Sequence, residues 1–384
     1  MTRRRVLSLP AAVPLARGQS GRRPRVACIL NAYFPNSHAD VFMSRLLEGY
    51  RLNGESHRPR LEVASFYVDQ FPVNDMAREQ AAEYGIRIYP SVAEALRLGG
   101  RRLAVDAVAV IGEHGRYPRT PRGNFMYPRF RYFQEVTRVM REDQRVVPMY
   151  NDKYFAYEWA DALRMYRTVK EMRIPFLCGS TLPLTWRRPP LEFQPGIELE
   201  EALAVSSSDL EEHAYHGIEL LQGMVERRRG GETGVASVRC VEGPEVWKLG
   251  EAGEWSRPLL DAALSRRVSP PPEDRGQTPQ AILVRYRSGL KASILNLNSL
   301  TRDYLFAARG KGRSEPLSSC FYIQLYLHNH WSFMVRNFEN LVLTGREPNP
   351  IERTLLATGI LLFGLESRRQ GQRWLETPEL DVRY

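Results

Sequence analysis

The stretch Val146-Val147-Pro148-Met149-Tyr150-Asn151-Asp152-Lys153 says most about how this 384-residue chain folds. Its apolar first half predicts a buried strand, and a polar triplet follows at once. Open α/β sheets bind ligands beyond the carboxyl ends of their strands, so Lys153 is expected beside a ligand crevice. An adjacent aspartate can tune such a lysine for proton transfer to a substrate oxygen. The alternative is a solvated loop lysine.

Strand and helix patterns alternate around that stretch. Apolar runs predict further strands at residues 25–30, 61–68, 86–89, 104–111 and 174–178. Helical spacing predicts helices at 38–50, 75–84, 92–98, 129–142 and 159–172. This order is typical of a doubly wound, Rossmann-like α/β parallel sheet.

After about residue 183 the pattern changes. It predicts a long helix at 210–227, strands at 234–241, 281–286, 291–297 and 321–327, and closing helices at 329–343 and 351–368. We therefore expect a C-terminal α+β domain with a mainly antiparallel open sheet. The predicted division is a basic tail or signal at 1–23, a Rossmann-like domain at 24–181, an α+β substrate and oligomerisation domain at 182–345, and a C-terminal helix and tail at 346–384 that pack back on the body.

The net charge of +10 is concentrated at the N-terminus. Residues 1–24 hold six arginines and no acid (Arg3, Arg4, Arg5, Arg17, Arg22 and Arg23). The remaining charge is modest and scattered, which argues against nucleic-acid binding. The order of paired arginines, a short apolar segment and small residues is that of a twin-arginine signal, so we expect export to the periplasm. A disordered basic tail on a cytoplasmic protein is the alternative.

Neither the cysteines nor the hydropathy pattern indicates a special class of protein. The four cysteines are widely spaced and form no CxxC pair, so neither a disulfide framework nor a structural zinc site is expected. No run after the N-terminus approaches about 18 apolar residues, so no integral membrane segment is expected.

Four short motifs, in the right order, resemble the glucose–fructose oxidoreductase / inositol dehydrogenase (Gfo/Idh/MocA) family over most of residues 24–376. Residues 81–96 look like the third βα unit of that family, and Asn151-Asp152-Lys153 stands where the family has Glu-Lys-Pro. Residues 212–219 resemble its Asp-x-x-x-His-x-x-Asp helix. Phe338, residues 345–348 and residues 367–372 look like its closing helices.

The resemblance implies an oxidoreductase that acts on a sugar or polyol. Lys153, supported by Asp152, falls on the catalytic lysine of the family, His216 on its substrate-facing histidine and Glu212 on the first acid of the helix motif. It also implies a homo-oligomer paired through the C-terminal sheet. Independently, Glu212, His216 and Glu219 are spaced to share one helix face. His213 and Glu219 on this segment are expected to contact the substrate. The alternative is an exposed helix with an incidental salt-bridged histidine.

The turn after the first strand departs from the family. It reads Asn31-Ala32-Tyr33-Phe34-Pro35-Asn36-Ser37-His38 and contains no glycine, whereas a dinucleotide diphosphate needs space and free N–H donors there. Asn31, Asn36 and Ser37 are the remaining candidates for cofactor contacts, with Asp69 for the ribose and Glu113 on the neighbouring loop. NAD(P) is therefore possible, but this turn counts against it.

Two further segments are candidates for substrate contacts. Glu113, His114 and Tyr117 follow a buried strand and face the same crevice as Lys153, although a tight structural turn is the alternative. Together with Asp152, Glu212 and His216, Glu113 and His114 could hold a divalent cation. Trp186 could stack on a sugar ring and Arg187 could bind a carboxylate, unless they pack between the domains.

Three functions stay open at this stage. The leading one is a sugar or polyol oxidoreductase in which Lys153 and His216 transfer protons and NAD(P) accepts hydride. The second is a non-redox lyase, epimerase or hydrolase that acts on a carbohydrate, with or without a metal, and the missing glycines favour it. The third is a saccharide-binding protein without catalysis, because fold alone does not decide function.

Overall fold

The computed structural model describes residues 21–211, 213–270, 272–273, 278–324 and 328–384. Strands and helices alternate through the first half, as predicted. In chain order the elements are β1 (Arg25–Leu30), α1 (His38–Leu47), β2 (Tyr50–Leu52), β3 (Glu55–His57), β4 (Glu62–Val68), α2 (Ala77–Glu83), β5 (Arg87–Ile88), α3 (Val92–Arg97), β6 (Ala107–Ile111), α4 (Arg129–Glu142), β7 (Met149–Asp152), α5 (Trp159–Met172) and β8 (Phe176–Gly179).

Within the described ranges, six of these strands form one parallel sheet in the order β5-β4-β1-β6-β7-β8. Its central strands are buried on both faces, which explains their continuous apolar runs. Helices α3, α4 and α5 cover one face, and α1 and α2 cover the other. The strand order reverses between β1 and β6, the point at which α/β sheets bind ligands.

The second half of the chain forms a mixed sheet of eight strands within the described ranges. Its elements are β9 (Trp186–Arg188), β10 (Leu199–Ser206), α6 (Ala214–Val225), β11 (Val235–Glu242), α7 (Pro244–Glu251), α8 (Arg257–Leu264), β12 (Gln280–Tyr286), β13 (Lys291–Asn296), β14 (Tyr304–Gly310), β15 (Leu317–Tyr322), α9 (Trp331–Thr344), α10 (Ile351–Arg369) and β16 (Leu375–Glu376). The order is β16-β11-β12-β13-β10-β14-β15-β9, antiparallel except for the pair β10–β13. The predicted fold class is therefore confirmed.

Both faces of the second sheet are covered. Helices α6 and α10 pack on one face, and α7 and α8 pack on the other through residues such as Val246 and Leu260. The prediction of a homo-oligomer assumed that the second face is free to pair subunits. Because α7 and α8 occupy that face, pairing directly through it has no support in this fold, and the oligomeric state stays a prediction.

The C-terminal helices tie the two halves together. Helix α9 returns to the first sheet and packs against α1, while α10 contacts α5 and β8 on one side and α6 and β11 on the other. The predicted strand at 321–327 was misplaced: the strand is Leu317–Tyr322, and residues 325–327 lie outside the described chain.

The predicted export signal also lies mostly outside the described residues, which begin at Gly21. None of the helices in the described ranges combines the length and apolarity that crossing a bilayer requires.

Candidate active site

A cavity of about 460 Å³ lies at the carboxyl edge of the first sheet, where the second half of the chain meets it. All seven histidines of the chain are among the described residues, and six of them line this cavity. They come from four separate segments: His38, His114, His213, His216, His328 and His330. Trp331 and Tyr304 add aromatic surface. We call this space the histidine cavity.

A buried cluster of charges lies next to it. Glu113 lies two residues after the end of β6 and Lys153 directly follows β7, so neighbouring parallel strands bring them together. The Nζ atom of Lys153 is 2.9 Å from Oε1 of Glu113, and Arg129 donates a hydrogen bond to Oε2. Burial alone would raise the pKa of Glu113, but Lys153 and Arg129 outweigh it and hold this pKa well below its usual value.

Lys153 lies beneath the histidine cavity rather than on its wall. Only 3% of its side chain is exposed, and it is absent from the lining residues. Its backbone has a left-handed φ of 61°, uncommon for a residue other than glycine, and its carbonyl accepts a hydrogen bond from the amide of Gly179. Its positive charge nevertheless acts on residues of the wall. Burial lowers the pKa of both His213 and His216, and the charge of Lys153 lowers them further.

His38 is the main site residue that sequence reasoning missed. Its Nδ1 is 2.6 Å from Oδ2 of Asp152, and the hydroxyl of Tyr150 donates to the other oxygen of Asp152 at 3.0 Å. A carboxylate that holds one ring nitrogen fixes the orientation and the tautomer of the imidazole. The available signal was position: His38 begins α1 beside the switch point, facing the strand that ends in Asp152.

His216 occupies its predicted place in the cavity. Its Nδ1 is 2.6 Å from the hydroxyl oxygen of Ser180, which also accepts a hydrogen bond from the amide of Leu182. The predicted substrate residues His114 and His213 line the same cavity, whereas Glu212 lies outside the described residues.

Four of the wall histidines have a pKa lowered far enough to be neutral near pH 7. Burial lowers the pKa of His114 and of His213 to about 4 and that of His330 to about 3, and it takes the pKa of His216 well below its usual value. Within the described part of the chain, one buried ring nitrogen in each of His114, His213 and His330 has no hydrogen-bond partner. A neutral imidazole offers one donor and one acceptor, the same pair that a hydroxyl group requires.

The groove where a Rossmann fold would hold a diphosphate is closed by its own hydrogen bonds. The Ser37 hydroxyl accepts from the amides of Phe34 and Asp40, and the Asp40 carboxylate accepts from the amide of Asn36 at 2.8 Å. Tyr33 is fully buried in the turn. The turn thus uses these N–H donors internally, and it places a carboxylate where the diphosphate charge would lie.

The loop after β6 then bridges across β1 to the loop after β4. Gln70 and Arg116 exchange two hydrogen bonds, 2.8 and 3.1 Å, and the Tyr117 hydroxyl donates to Asp69 at 2.7 Å. Burial would raise the pKa of Asp69, but hydrogen bonds from Tyr117, Arg131 and Tyr67 hold it below its usual value. Asp69 is therefore already saturated, and the residues of this groove do not fit a dinucleotide.

The predicted cofactor residues accordingly have structural partners. The Asn31 amide donates to the carbonyl of His114 and accepts from the Tyr132 hydroxyl. Ser37 caps α1, and Glu113 pairs with Lys153 and Arg129. Asn36 alone among the five predicted residues, all of them described, lines the histidine cavity.

The predicted metal ligands do not form one group. Among the described residues, the set with ligand atoms within 4.8 Å of one another is His38, Glu113 and Asp152, not Glu113 with His114 and His216. Both oxygens of Glu113 already bind cationic side chains. Lys153 and Arg129 thus neutralise Glu113 in the way that a metal ion would.

Three predicted substrate residues lie elsewhere. Trp186 donates to Asn53 and packs on Phe333, and Arg187 donates to the carbonyls of Pro183 and Thr185, so both are structural at the domain crossing. Glu219 is buried and accepts from Tyr215 at 2.8 Å. One helical turn separates Glu219 from His216, but it faces the interior rather than the cavity.

Known proteins were compared with the chain by sequence and by structure. No family model matches the sequence, and no curated protein is similar to it by sequence. Solved structures match over almost the whole chain. The scyllo-inositol dehydrogenase of Lactobacillus casei superposes with a TM-score of 0.58 at 9% identity, covering 92% of this chain and 98% of its own. This chain shares the fold of that dehydrogenase.

Two other neighbours extend that result. The UDP-N-acetylglucosamine 3-dehydrogenase GnnA of Acidithiobacillus ferrooxidans matches with a TM-score of 0.55 at 12% identity, over 91% of this chain and 99% of its own. GenD2 from gentamicin A biosynthesis, solved in complex with NAD, matches with a TM-score of 0.56 at 12% identity, over 95% and 99%. At such identities the likeness establishes the fold and leaves the activity to the site.

Proposed function

We propose that the protein is an enzyme that transfers protons on a hydroxyl-rich small molecule, a sugar or polyol, bound in the histidine cavity, and that it holds no dinucleotide in the groove beside β1. The observation that carries this proposal is the contrast between six cavity histidines and a groove whose donors are already used. Polar groups converging in a cavity at the switch point of an α/β sheet are the usual setting of an active site.

Each polar residue of the site would have a separate role in proton transfer. His38, oriented by Asp152, is the general base that takes a proton from the substrate. His216, held by Ser180, is the second proton-transfer group. Lys153 carries its positive charge just beneath them, where it stabilises negative charge that develops on a substrate oxygen. A lyase or an epimerase that removes the proton from a carbon next to a carbonyl or carboxylate group of the substrate, leaving an enolate that is then reprotonated or expels a β-hydroxyl as water, needs these groups and no hydride acceptor.

A second candidate is the NAD(P)-dependent oxidoreductase. The fold favours it, since its structural neighbours include dehydrogenases and one solved with NAD. In that case Lys153 and His216 would be the proton-transfer pair, and the bridge between Gln70 and Arg116 would have to open before the cofactor entered.

Calorimetric titration with NAD⁺, NADH, NADP⁺ and NADPH separates the two. We expect no binding up to millimolar concentration, and micromolar binding of any one of them would return the oxidoreductase to first place. In parallel, a panel of sugars and polyols incubated with the protein in D₂O is followed by mass spectrometry. We expect cofactor-independent deuterium incorporation or product formation for at least one compound.

The histidines offer a matched control for that assay. His38→Gln and His216→Gln should each reduce deuterium incorporation about a hundredfold, the usual contribution of one acid–base group. His57→Gln changes the one histidine outside the cavity, where it stacks on Tyr50, and should leave the rate unchanged. Saccharide binding without any exchange would instead identify a binding protein.

A further inference from the structure

A second cavity, of about 390 Å³, adjoins the histidine cavity. The two share Ser208 and Asn298 as lining residues, so these form the ridge between them. Ser208 has a left-handed φ of 71°, and its carbonyl accepts hydrogen bonds from Asn296 at 2.7 Å and Asn298 at 3.0 Å. Two amide side chains therefore hold Ser208 in its strained conformation. Because this ridge is shared by both cavities, we treat them as neighbouring compartments of one cleft.

Two arginines line the second cavity, and each donates to a backbone carbonyl of the same loop. Arg119 donates to the carbonyl of Gly123, and Arg368 donates to the carbonyl of Arg122 at 3.0 Å. The guanidinium of Arg119 also lies 3.7 Å from the centre of the Phe125 ring. Each guanidinium has five N–H donors in a rigid fork, so these contacts fix both groups and leave further donors for a ligand.

The acids near these arginines pair with them only loosely. Glu211 is 3.8 Å from Arg119, and Glu242 is 3.9 Å from Arg368. Glu211 is buried and instead accepts hydrogen bonds from the Tyr154 hydroxyl and the amide of Phe125. Burial raises the pKa of Glu211 to about 7, so near neutral pH it carries only part of its negative charge. Asp209 also lines the cavity, so its acids and its two arginines are close to balanced, and what distinguishes the cavity is the pair of guanidinium groups with further N–H donors.

We propose that the second cavity binds the anionic group of the substrate, a carboxylate or phosphate held by Arg119 and Arg368, while the hydroxyl-rich part of the same molecule occupies the histidine cavity. The placement of the sugar rests on the function proposed above. The anion site rests on the two guanidinium groups alone. Bidentate pairing of arginine with carboxylate or phosphate provides both affinity and orientation.

Calorimetry on the full chain tests this with matched ligands: glucose, galactose and mannose, the corresponding uronic acids and 6-phosphates, and inorganic phosphate. We expect at least one acidic sugar to bind tenfold or more tightly than its neutral parent, with an advantage that declines as salt is added. In Arg119→Gln/Arg368→Gln that advantage should vanish while neutral sugars bind as before. Arg138→Gln, which alters a surface ion pair on α4, is the control.

The outcomes separate the two proposals. Equal affinity for acidic and neutral sugars, or an advantage that survives the double substitution, overturns the anion site even if sugars bind. Arginine-dependent binding of inorganic phosphate without affinity for any sugar supports the anion site and counts against the sugar cavity. No binding of any ligand overturns both. Circular dichroism and thermal melting verify that the double variant is folded.

Discussion

The groove beside β1 and the histidine cavity lie at the same edge of the same sheet, yet their polar groups differ in whether they have hydrogen-bond partners within the protein. In the groove, Ser37, Asp40, Asp69 and Gln70 are all hydrogen-bonded within the protein. In the cavity, ring nitrogens of three described histidines are buried without a partner. Buried polar groups without partners are costly, and proteins retain them mainly where a ligand or water completes them.

This difference shows why the fold alone is a poor guide to cofactor use. The Rossmann-like sheet supplies the switch point, but the loops decide which side of it stays open. Here the loop after β6 contributes Arg116 and Tyr117 to the bridge over the groove and His114 to the cavity. The loop after β6 thus closes the groove and also helps to form the histidine cavity.

The largest effect is expected from the charge cluster beneath the cavity. Glu113→Ala would leave Lys153 and Arg129 buried without their shared carboxylate, which should destabilise the protein by about 3–5 kcal/mol. Glu142→Ala removes the exposed partner of Arg97 and Arg138 and should barely change the unfolding midpoint. Urea denaturation measures both. Equal midpoints for the two variants would contradict a structural role for the cluster.

As the pH falls, we expect protonation of the cavity histidines to destabilise the protein before the groups of the groove take up protons. The pKa values of His114, His213 and His330 are lowered in the folded state, so the unfolded state binds more protons between about pH 6.5 and pH 4. Stability is therefore present above pH 6.5 and declines as the pH falls towards 4, by up to about 3 kcal/mol for each histidine. Thermal melting across this range measures the loss.

His213→Asn/His330→Asn should flatten that pH dependence, since it removes two of the groups that take up protons on unfolding. His57→Asn should leave the slope as in the wild type. A slope that is identical in all three proteins would mean that other groups control acid unfolding.

A smaller effect is expected from the bridge across the groove. Tyr117→Phe deletes the hydrogen bond to Asp69, one of three that this carboxylate accepts, and should cost about 1 kcal/mol. Because the Gln70–Arg116 pair remains, we expect the variant still not to bind NAD⁺ in calorimetry. Tight NAD⁺ binding after this single change would show that Tyr117 is what keeps the groove closed.

The smallest effect concerns Glu211, which lines the second cavity. Its raised pKa, about 7, means that folding favours its neutral form, so its contribution to stability is present at low pH and is lost as the pH rises through 7. The groups that interact with it are Tyr154, Arg119, Glu113 and Arg129. The melting temperature of Glu211→Gln should change less between pH 6 and 8 than that of the wild type does. Parallel melting curves for the two proteins would contradict the assignment.

The sequence predicted the first half of the chain well because its signals are local. Apolar runs and helical spacing identified β1, α4 and α5 with the bounds that the structure has. Strand β10 was missed because it begins with the mixed stretch Leu199-Glu200-Glu201, and α7 and α8 were missed because each has only eight residues. Short elements depend on the packing that surrounds them, which local pattern does not contain.

The site was predictable only in part, for the same reason. His216 and His114 follow from position on a motif or at a strand end, and both line the cavity. His328 and His330 reach it from the start of α9, almost 290 residues from His38, and nothing in their neighbours signals this. Asp69 and Arg187 have the residue types of binding groups, but whether such a group is available depends on partners distant in sequence.

Gly179 links the assembly of the site to the order in which the chain is synthesised. A side chain here would lie 2.8 Å from Thr354 of α10, and the amide of Gly179 holds the carbonyl of Lys153. The backbone that positions the lysine is thus clamped by almost the last helix of the chain. During synthesis the first sheet can assemble early, but its lysine acquires its final surroundings only when residues 351–369 have left the ribosome. A polypeptide that stops short of α10 should therefore be inert even where its first sheet has folded.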